Sequence, residues 1–437
     1  MRRRRSDPRA PGAKPAAGSD SAAPRIALIL LSGLAALALA IAAVWAFAPA
    51  PMPVDPVAVD PATILDGSRL EEARDLRGQG RLLFAIGLVA QLALLALLAA
   101  GRPRFAARLL GRLATRPALG SMLVGLLLWL ALALVTLPTG LIARSSAVSA
   151  GLSTQSLASW LGDWALSTAI WGAMAALALG LMAALWRRLG RLWWIAASVA
   201  VVAISAAYVW LSPIVIGPAF NDYTEIPRGD PIRAEVEELA GRAGVDVGEV
   251  LAVDSSRRTT TINAYVGGLG PTKRVVVYDT LLDDGERREL DSVLAHELGH
   301  VVGRDLLGGL AFIAVVAPLG LLFASLLARR LAVRRGVAPG MPAALPGLVL
   351  AIGIALTVLG VPGNVLSRQV EASADTYALE LTDDPEALIS LQRRFARTNL
   401  SEPDPPALWE FLFSTHPSSA QRVGAALAWE NGAQPGE

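Results

Sequence analysis

Seven long apolar runs constrain this chain more than any other feature of its sequence. Each is close to or above the roughly 20 residues that a helix needs to cross a bilayer. The runs extend approximately from Ile26 to Phe47, Leu82 to Ala100, Leu119 to Leu141, Trp164 to Trp186, Leu192 to Ile214, Leu307 to Ala328 and Ala343 to Val361. With 54% hydrophobic and only 17% charged residues, the chain has too much apolar surface for a water-soluble protein. The sequence predicts a mainly α-helical, seven-span, multi-pass protein of the cell membrane.

The first run follows residues 1–25, a basic segment rich in Pro, Ala and Ser that predicts a disordered tail. A signal peptide is the alternative interpretation of this run, and Ala48-Pro49-Ala50 leaves a cleavage site open. The run is long for a signal peptide, so we expect an uncleaved anchor. Residues 26–214 then form a five-span membrane region.

Arginines cluster in alternate connections between the runs. They are Arg102, Arg104, Arg108, Arg112 and Arg116, then Arg187, Arg188 and Arg191, then Arg329, Arg330, Arg334 and Arg335. The positive-inside rule places these connections in the cytoplasm. An odd number of spans then makes the polar segments after residues 214 and 361 extracytoplasmic, and one span more or fewer reverses this orientation. The net charge of +2 argues against a nucleic-acid partner.

Two polar segments, residues 215–306 and 362–430, flank a predicted transmembrane hairpin at 307–361. In the first segment, Arg233 to Ala243 has a helical apolar stripe. The strands predicted there are Val250 to Val253, Thr259 to Val266 and Arg274 to Tyr278. The second segment is mainly helical, and 431–437 is a short tail. We therefore expect one α+β domain that the hairpin interrupts.

The first polar segment ends in His296-Glu297-Leu298-Gly299-His300. Histidines four apart point the same way from a helix, so both imidazoles can bind one ion. The glutamate between them can take a proton from a water on that ion. H-E-x-x-H is the pattern of zinc metallopeptidases, although so short a pattern also arises by chance. The chain has no cysteine, so thiolate ligands are excluded.

A catalytic zinc site needs a third protein ligand, which any downstream His, Asp or Glu could supply. Glu371 and Asp375 are the best candidates because they lie four apart on one helical face among small residues. Glu371 can bind the ion, and Asp375 can hold a ligand histidine. The alternative is an exposed acidic face, with Arg368 paired to either carboxylate.

Together these motifs resemble the type I CaaX prenyl protease family of seven-span zinc metallopeptidases. The resemblance extends from about Pro213 to Val423. The motifs are Ser255 to Thr260 leading to Asn263-Ala264-Tyr265, Arg274 to Leu282, His296 to His300, Ser367-Arg368 with Glu371-Ala372 and Ala374-Asp375, and Ser414 to Ser418 with Arg422. The cysteine-free composition, rich in Ala and Arg, indicates a bacterial member.

The resemblance implies a zincin-like catalytic domain with one Zn2+ per chain and a role for each motif residue. His296, His300 and Glu371 would hold the metal, and Glu297 would be the general base. Asp375 would orient a ligand histidine, and His416 would donate to the oxyanion. Arg422 would support the region around His416 or bind a substrate carbonyl. Asn263, Ala264 and Tyr265 would lie on an edge strand that pairs with an extended peptide.

The predicted function is a membrane zinc metalloendopeptidase that acts on peptides or proteins, including membrane-associated chains. The predicted extracytoplasmic side favours such chains over cytosolic prenylated tails. Two alternatives belong to other classes: a membrane sensor that uses a peptidase-like domain, and a transporter or structural protein with a decayed site. Intact motif residues argue against decay, and the span centres hold few charges.

Overall fold

The computed structural model describes residues 22–50, 55–101, 103–282 and 287–432, which form fifteen α-helices and four strands. The predicted tails lie largely outside these ranges, at 1–21 and 433–437. The first helix begins at Ala22, inside the predicted tail, since Pro24 is tolerated in a first helical turn. The helices are α1 Ala22–Phe47, α2 Gly67–Ala96, α3 Arg104–Leu113, α4 Pro117–Ser149, α5 Leu157–Leu189, α6 Trp193–Leu211, α7 Gly217–Phe220, α8 Pro231–Arg242, α9 Asp279–Leu282, α10 Arg287–Gly303, α11 Asp305–Val333, α12 Leu345–Thr382, α13 Pro385–Asn399, α14 Ala407–Phe413 and α15 Ser419–Glu430.

Six stretches of the described residues are long and apolar enough to cross a membrane. They are Ile26–Phe47, Gly67–Gly101, Pro117–Ser149, Leu157–Phe220, Asp305–Val333 and Pro342–Thr382. The 64-residue stretch Leu157–Phe220 contains both α5 and α6. These helices contact each other after a short 3-10 turn at Gly190–Leu192. Gly190 has φ of +58°, a conformation that glycine adopts freely and that ends α5.

The membrane helices approach one another through small residues, as the contact between α4 and α5 illustrates. A Cβ on Gly125 would lie 2.7 Å from the carbonyl oxygen of Ala175 and 2.9 Å from the Cα of Ala176. Only glycine permits that spacing, as is usual where helices pack inside a bilayer. A polar contact also links α6 to α11, because Nε1 of Trp193 donates to Oγ of Ser325 at 2.8 Å.

The strands form one sheet in the order β1-β2-β4-β3. Their bounds are β1 Tyr223–Glu225, β2 Glu249–Val253, β3 Ala264–Gly267 and β4 Arg274–Tyr278. β2 and β4 are parallel and the other two pairs are antiparallel, which leaves β3 at an edge. The strand predicted from Thr259 is shorter than expected. Thr259 and Thr260 instead donate their hydroxyls to carbonyl oxygens in the α4–α5 connection.

A single 38-residue helix, α12, carries the chain from the membrane into the polar region. The predicted boundary between residues 361 and 362 lies inside it. Pro362 does not end the helix, although it removes one backbone hydrogen bond. The rigid rod places the polar part of α12 beside α10, and α13 to α15 then pack around these two helices.

The two ends of the membrane helices carry different connections. At one end, residues of the α1–α2 connection such as Ile64 and Leu65 share an apolar cluster with Leu388 of α13. At the other end the arginine-rich connections meet, and Nη1 of Arg187 donates to the carbonyl oxygen of Gly340 at 2.7 Å. The sheet and α13 to α15 therefore lie at the end opposite to the clustered arginines.

Candidate metal centre

The two histidines of the H-E-x-x-H motif lie one turn apart on α10. The apolar side of this helix, which includes Val293, Leu294 and Leu298, packs against the sheet and fixes its rotation. His296 and His300 therefore point together, and their Nε2 atoms are 3.2 Å apart. The His296 side chain is buried and that of His300 is about one-quarter exposed (9% and 23%).

Glu371 reaches this pair from α12. Its Oε2 lies 3.3 Å from Nε2 of His296, and its Oε1 lies 3.7 Å from Nε2 of His300. The close approach depends on Gly299, because a Cβ there would lie 3.2 Å from the Cα of Ala374. The glycine that weakens α10 as a helix thus admits α12 beside the two histidines.

These three side chains form a donor set that fits a small divalent cation. Their ligand atoms all lie within 4.8 Å of one another. Two ligand atoms about 2.0–2.1 Å from an ion at the tetrahedral angle are separated by about 3.3 Å, close to the shorter distances given above. Oε2 of Glu371 is also buried, and apart from its 3.3 Å approach to His296 it has no hydrogen-bond partner among the described residues, which is costly unless a cation lies against it.

Asp375 and Arg422 support His296 from behind. Nδ1 of His296 is 2.8 Å from Oδ1 of Asp375, and Nε of Arg422 donates to Oδ2 of the same carboxylate at 2.7 Å. Burial lowers the pKa of His296, but Asp375 and Glu371 outweigh this effect and raise it to about 9. The surrounding carboxylates therefore favour a positive charge at this position.

Asp305 is a neighbour of the metal centre that the sequence analysis did not identify. Its Oδ2 lies 2.8 Å from Nδ1 of His300. A residue five positions after His300 on a continuous helix would face another direction. The sequence did not predict this contact because it depends on a break in the helix at Arg304, which has φ of +55°. Arginine is not a residue type from which a left-handed conformation is predicted.

Glu297 lies between the metal centre and the edge strand. The backbone N–H of Val266 donates to its Oε2 at 3.0 Å, so this N–H points away from β4. By strand alternation the backbone of Ala264 also faces the open edge, whereas that of Tyr265 faces β4. Tyr265 packs its ring near Tyr223, with the hydroxyls 3.3 Å apart, and Asn263 precedes the strand and accepts from the N–H of Ala264.

His416 approaches the centre from the connection before α15. Its Nε2 lies 3.3 Å from Oε1 of Glu371, and its side chain is 60% exposed. Arg368 holds the preceding segment by donating to the carbonyl oxygens of Glu410 and Ser414. Arg368 therefore does not form the pairs with Glu371 or Asp375 that the alternative interpretation required.

Cavities adjoin the centre on both sides. One of about 510 Å3 lies beside Val266, Leu269 and Val301. The other, of about 790 Å3, lies beside Asn263 and His416. Val266 of β3 lines the first cavity, and Asn263, which directly precedes β3, lines the second.

The fold and the site define a class of protein: a metallopeptidase whose metal centre is assembled on a bundle of membrane helices. The chain belongs to peptidase family M48. Residues 228–430 match the profile described as peptidase family M48, and residues 65–222 match that of the CAAX prenyl protease N-terminal region with five membrane helices. The resemblance found in the sequence is thereby confirmed, and so is the prediction of a metalloprotease.

Individual relatives agree with this assignment. The chain is 32% identical to an uncharacterized metalloprotease, YhfN, of Bacillus subtilis (strain 168), over 68% of this chain and 71% of that protein, which supports the expected bacterial member. It is 28% identical to a CAAX prenyl protease 1 homolog of Arabidopsis thaliana, over 51% of this chain and only about half (53%) of that relative. The crystal structure of S. mikatae Ste24p has the same fold, with a TM-score of 0.72 at 21% identity, covering 92% of this chain and 99% of that one.

Proposed function

We propose that this membrane metalloprotease is a zinc-dependent endopeptidase. His296, His300 and Glu371 hold one Zn2+, which supplies a Lewis acid and an activated water when bound. The other residues act as the resemblance implies. Glu297 accepts the proton of the attacking water and passes it to the leaving amine, and His416 donates to the developing oxyanion.

The observation that carries this proposal is the convergence of three ligand atoms at tetrahedral spacing next to a glutamate. His and carboxylate donors in this number and geometry are typical of catalytic zinc. Glu297 lines the same cavity but is not one of the three converging ligands. A general base must be free of the metal in this way. Asp375 and Arg422 position His296 from behind.

The substrate binds as an extended strand along the open edge of β3. Backbone pairing with Ala264 and Val266 gives affinity without demanding particular side chains. The N–H of Val266 donates to Glu297 in the free protein. On substrate binding it donates to a substrate carbonyl instead, which frees the Glu297 carboxylate to accept a proton from the water. Cavities on both sides accommodate chain before and after the cleaved bond, which favours an endopeptidase. Tyr265 supports the strand from its other face.

The substrates we propose are membrane-associated or misfolded polypeptides with an extended segment. In our proposal α5 and α6 cross the bilayer separately, which gives seven spans. The catalytic parts at 215–306 and 362–430 then lie on the extracytoplasmic side, opposite the arginine-rich connections. The Arabidopsis thaliana relative is named a CAAX prenyl protease 1 homolog, and a prenylated peptide is therefore one arm of the test below.

The test uses the purified full-length protein in nanodiscs with quenched fluorescent peptides, with and without a prenylated C-terminus. Glu297→Gln should retain one zinc per chain while hydrolysis falls about 10²- to 10⁴-fold. Glu386→Gln, which changes an exposed glutamate in the first turn of α13, is the matched control and should behave as wild type.

Wild-type cleavage by Glu297→Gln would contradict the assigned base. Peptide binding without hydrolysis by the wild-type protein would favour the sensor instead. Equal rates on prenylated and unprenylated peptides are the result we expect.

A further inference from the structure

A carboxylate next to the metal centre belongs to a membrane helix and has no part in the function proposed above. Asp305 is the first residue of α11, and its contact with His300 repeats the contact of Asp375 with His296 at the same distance of 2.8 Å. Each imidazole is therefore held at Nδ1 by its own carboxylate. Both Nε2 atoms are left facing Glu371.

The backbone between α10 and α11 turns sharply, which allows the Asp305 side chain to contact His300 of the preceding helix. Arg304 adopts φ of +55° and ψ of +38°, a left-handed conformation that is unfavourable for a residue other than glycine. A Cβ on Gly303 would lie 2.8 Å from Oδ1 of Asp305, so a larger residue there would displace the carboxylate. Two unusual backbone features thus coincide at the point where the carboxylate turns toward His300.

We propose that Asp305 is a positioning residue for His300, an inference that rests on the zinc site proposed above. By accepting the Nδ1 proton of His300, Asp305 fixes the tautomer in which Nε2 carries the lone pair, and it fixes the plane of the ring. Since Asp305 begins α11, the membrane hairpin itself orients one of the metal ligands.

A plainer role for Asp305 would be to stabilise the N-terminus of α11, where an acidic side chain interacts favourably with the helix dipole. The two roles predict different measurements. A residue that only stabilises the helix affects the thermal midpoint of the metal-free protein. A residue that positions His300 affects the affinity for zinc while the metal-free midpoint stays nearly constant.

The experiment measures zinc affinity of the detergent-purified full-length protein by competition with a fluorescent chelator, and the thermal midpoint of the metal-free form. Asp305→Asn retains the shape of the side chain but not its charge, and should weaken zinc binding about 10- to 100-fold. Its Co2+ complex should show a visible absorption spectrum altered from that of wild type. Glu386→Gln, which removes an exposed carboxylate from the first turn of α13, should bind zinc as wild type does.

A zinc dissociation constant for Asp305→Asn within twofold of wild type would overturn the inference. So would a lowered metal-free midpoint that accompanies unchanged cobalt absorption. These failures differ from a failure of the proposed function, in which the wild-type protein would bind no zinc or would bind it equally well after Glu371→Gln.

Discussion

Gly299 determines how closely the two helices that carry the metal ligands can pack. Alanine at this position would gain about 1 kcal/mol of helix propensity. However, its Cβ would press on the backbone of Ala374, with the carbonyl oxygen only 3.3 Å away. We expect Gly299→Ala to move α10 and α12 apart by a few tenths of an ångström and to weaken zinc binding roughly tenfold.

Gly241→Ala is the control for this prediction, because a Cβ at Gly241 on α8 would meet nothing within 4 Å. That change should leave zinc affinity unchanged and raise the thermal midpoint slightly. Zinc binding by Gly299→Ala that equals wild type would show that the helix spacing does not control the site.

At the residue scale, the sequence analysis found the candidate metal ligands more completely than the residues that hold those ligands in place. His296, Glu297 and His300 follow from a motif with fixed helical spacing, and Glu371 follows from the need for a third ligand. The roles assigned to them stay predictions. Asp305 could not be found, because its contact depends on one left-handed residue, and left-handed residues other than glycine leave no reliable pattern in a sequence.

At the scale of elements, a pair of carboxyl groups links α8 to α10 and makes their contact sensitive to pH. Burial, together with Asp291, raises the pKa of Glu235 to about 7, and burial also raises the pKa of Asp291. The folded state therefore holds a proton that the unfolded chain releases above its ordinary pKa of 4.5. The contribution of this pair to the free energy of unfolding should fall as pH rises from about 4.5 to about 7.

Glu235→Gln should reduce this pH dependence, because Asp291 remains as a second buried carboxyl group. Relative to wild type, the variant should gain on the order of 1 kcal/mol at pH 8 compared with pH 5, a figure reduced for solvent screening of a partly exposed pair. Thermal unfolding of the detergent-purified protein at both pH values measures the effect, with Glu386→Gln as reference. An unchanged difference between the two midpoints would refute the prediction.

The helices of the membrane were predictable because apolarity over 20 residues is a strong signal. The polar segments that continue these helices beyond the apolar runs were not predictable. The helix α12 extends to Thr382 because its polar end packs beside α10. The pattern of apolar residues does not predict that contact. The N-terminal half of the strand predicted from Thr259 failed for a related reason, since its threonines bind the carbonyl oxygens of a distant connection.

At the scale of the whole molecule, the orientation in the bilayer can be tested with single cysteines, because the chain contains none. Glu430 ends α15 on the side of the metal centre, and Ala338 lies in the arginine-rich α11–α12 connection; both are exposed. A membrane-impermeant maleimide added to intact cells should label Glu430→Cys and not Ala338→Cys. The reverse labelling pattern would place the metal centre in the cytoplasm, and permeabilised cells, in which both react, provide the control.

The helix α12 is long: its first turn is buried in the helix bundle beside the arginine-rich connection, and its polar part lies against the histidines. From Leu345 to Glu371 the helix is about 39 Å long at 1.5 Å per residue. A swing of roughly 3° relative to α11 would carry Glu371 sideways by about 2 Å, as far as a zinc–oxygen bond is long. Because helix tilt responds to hydrophobic thickness, the rate of hydrolysis should depend on the acyl-chain length of the surrounding lipids.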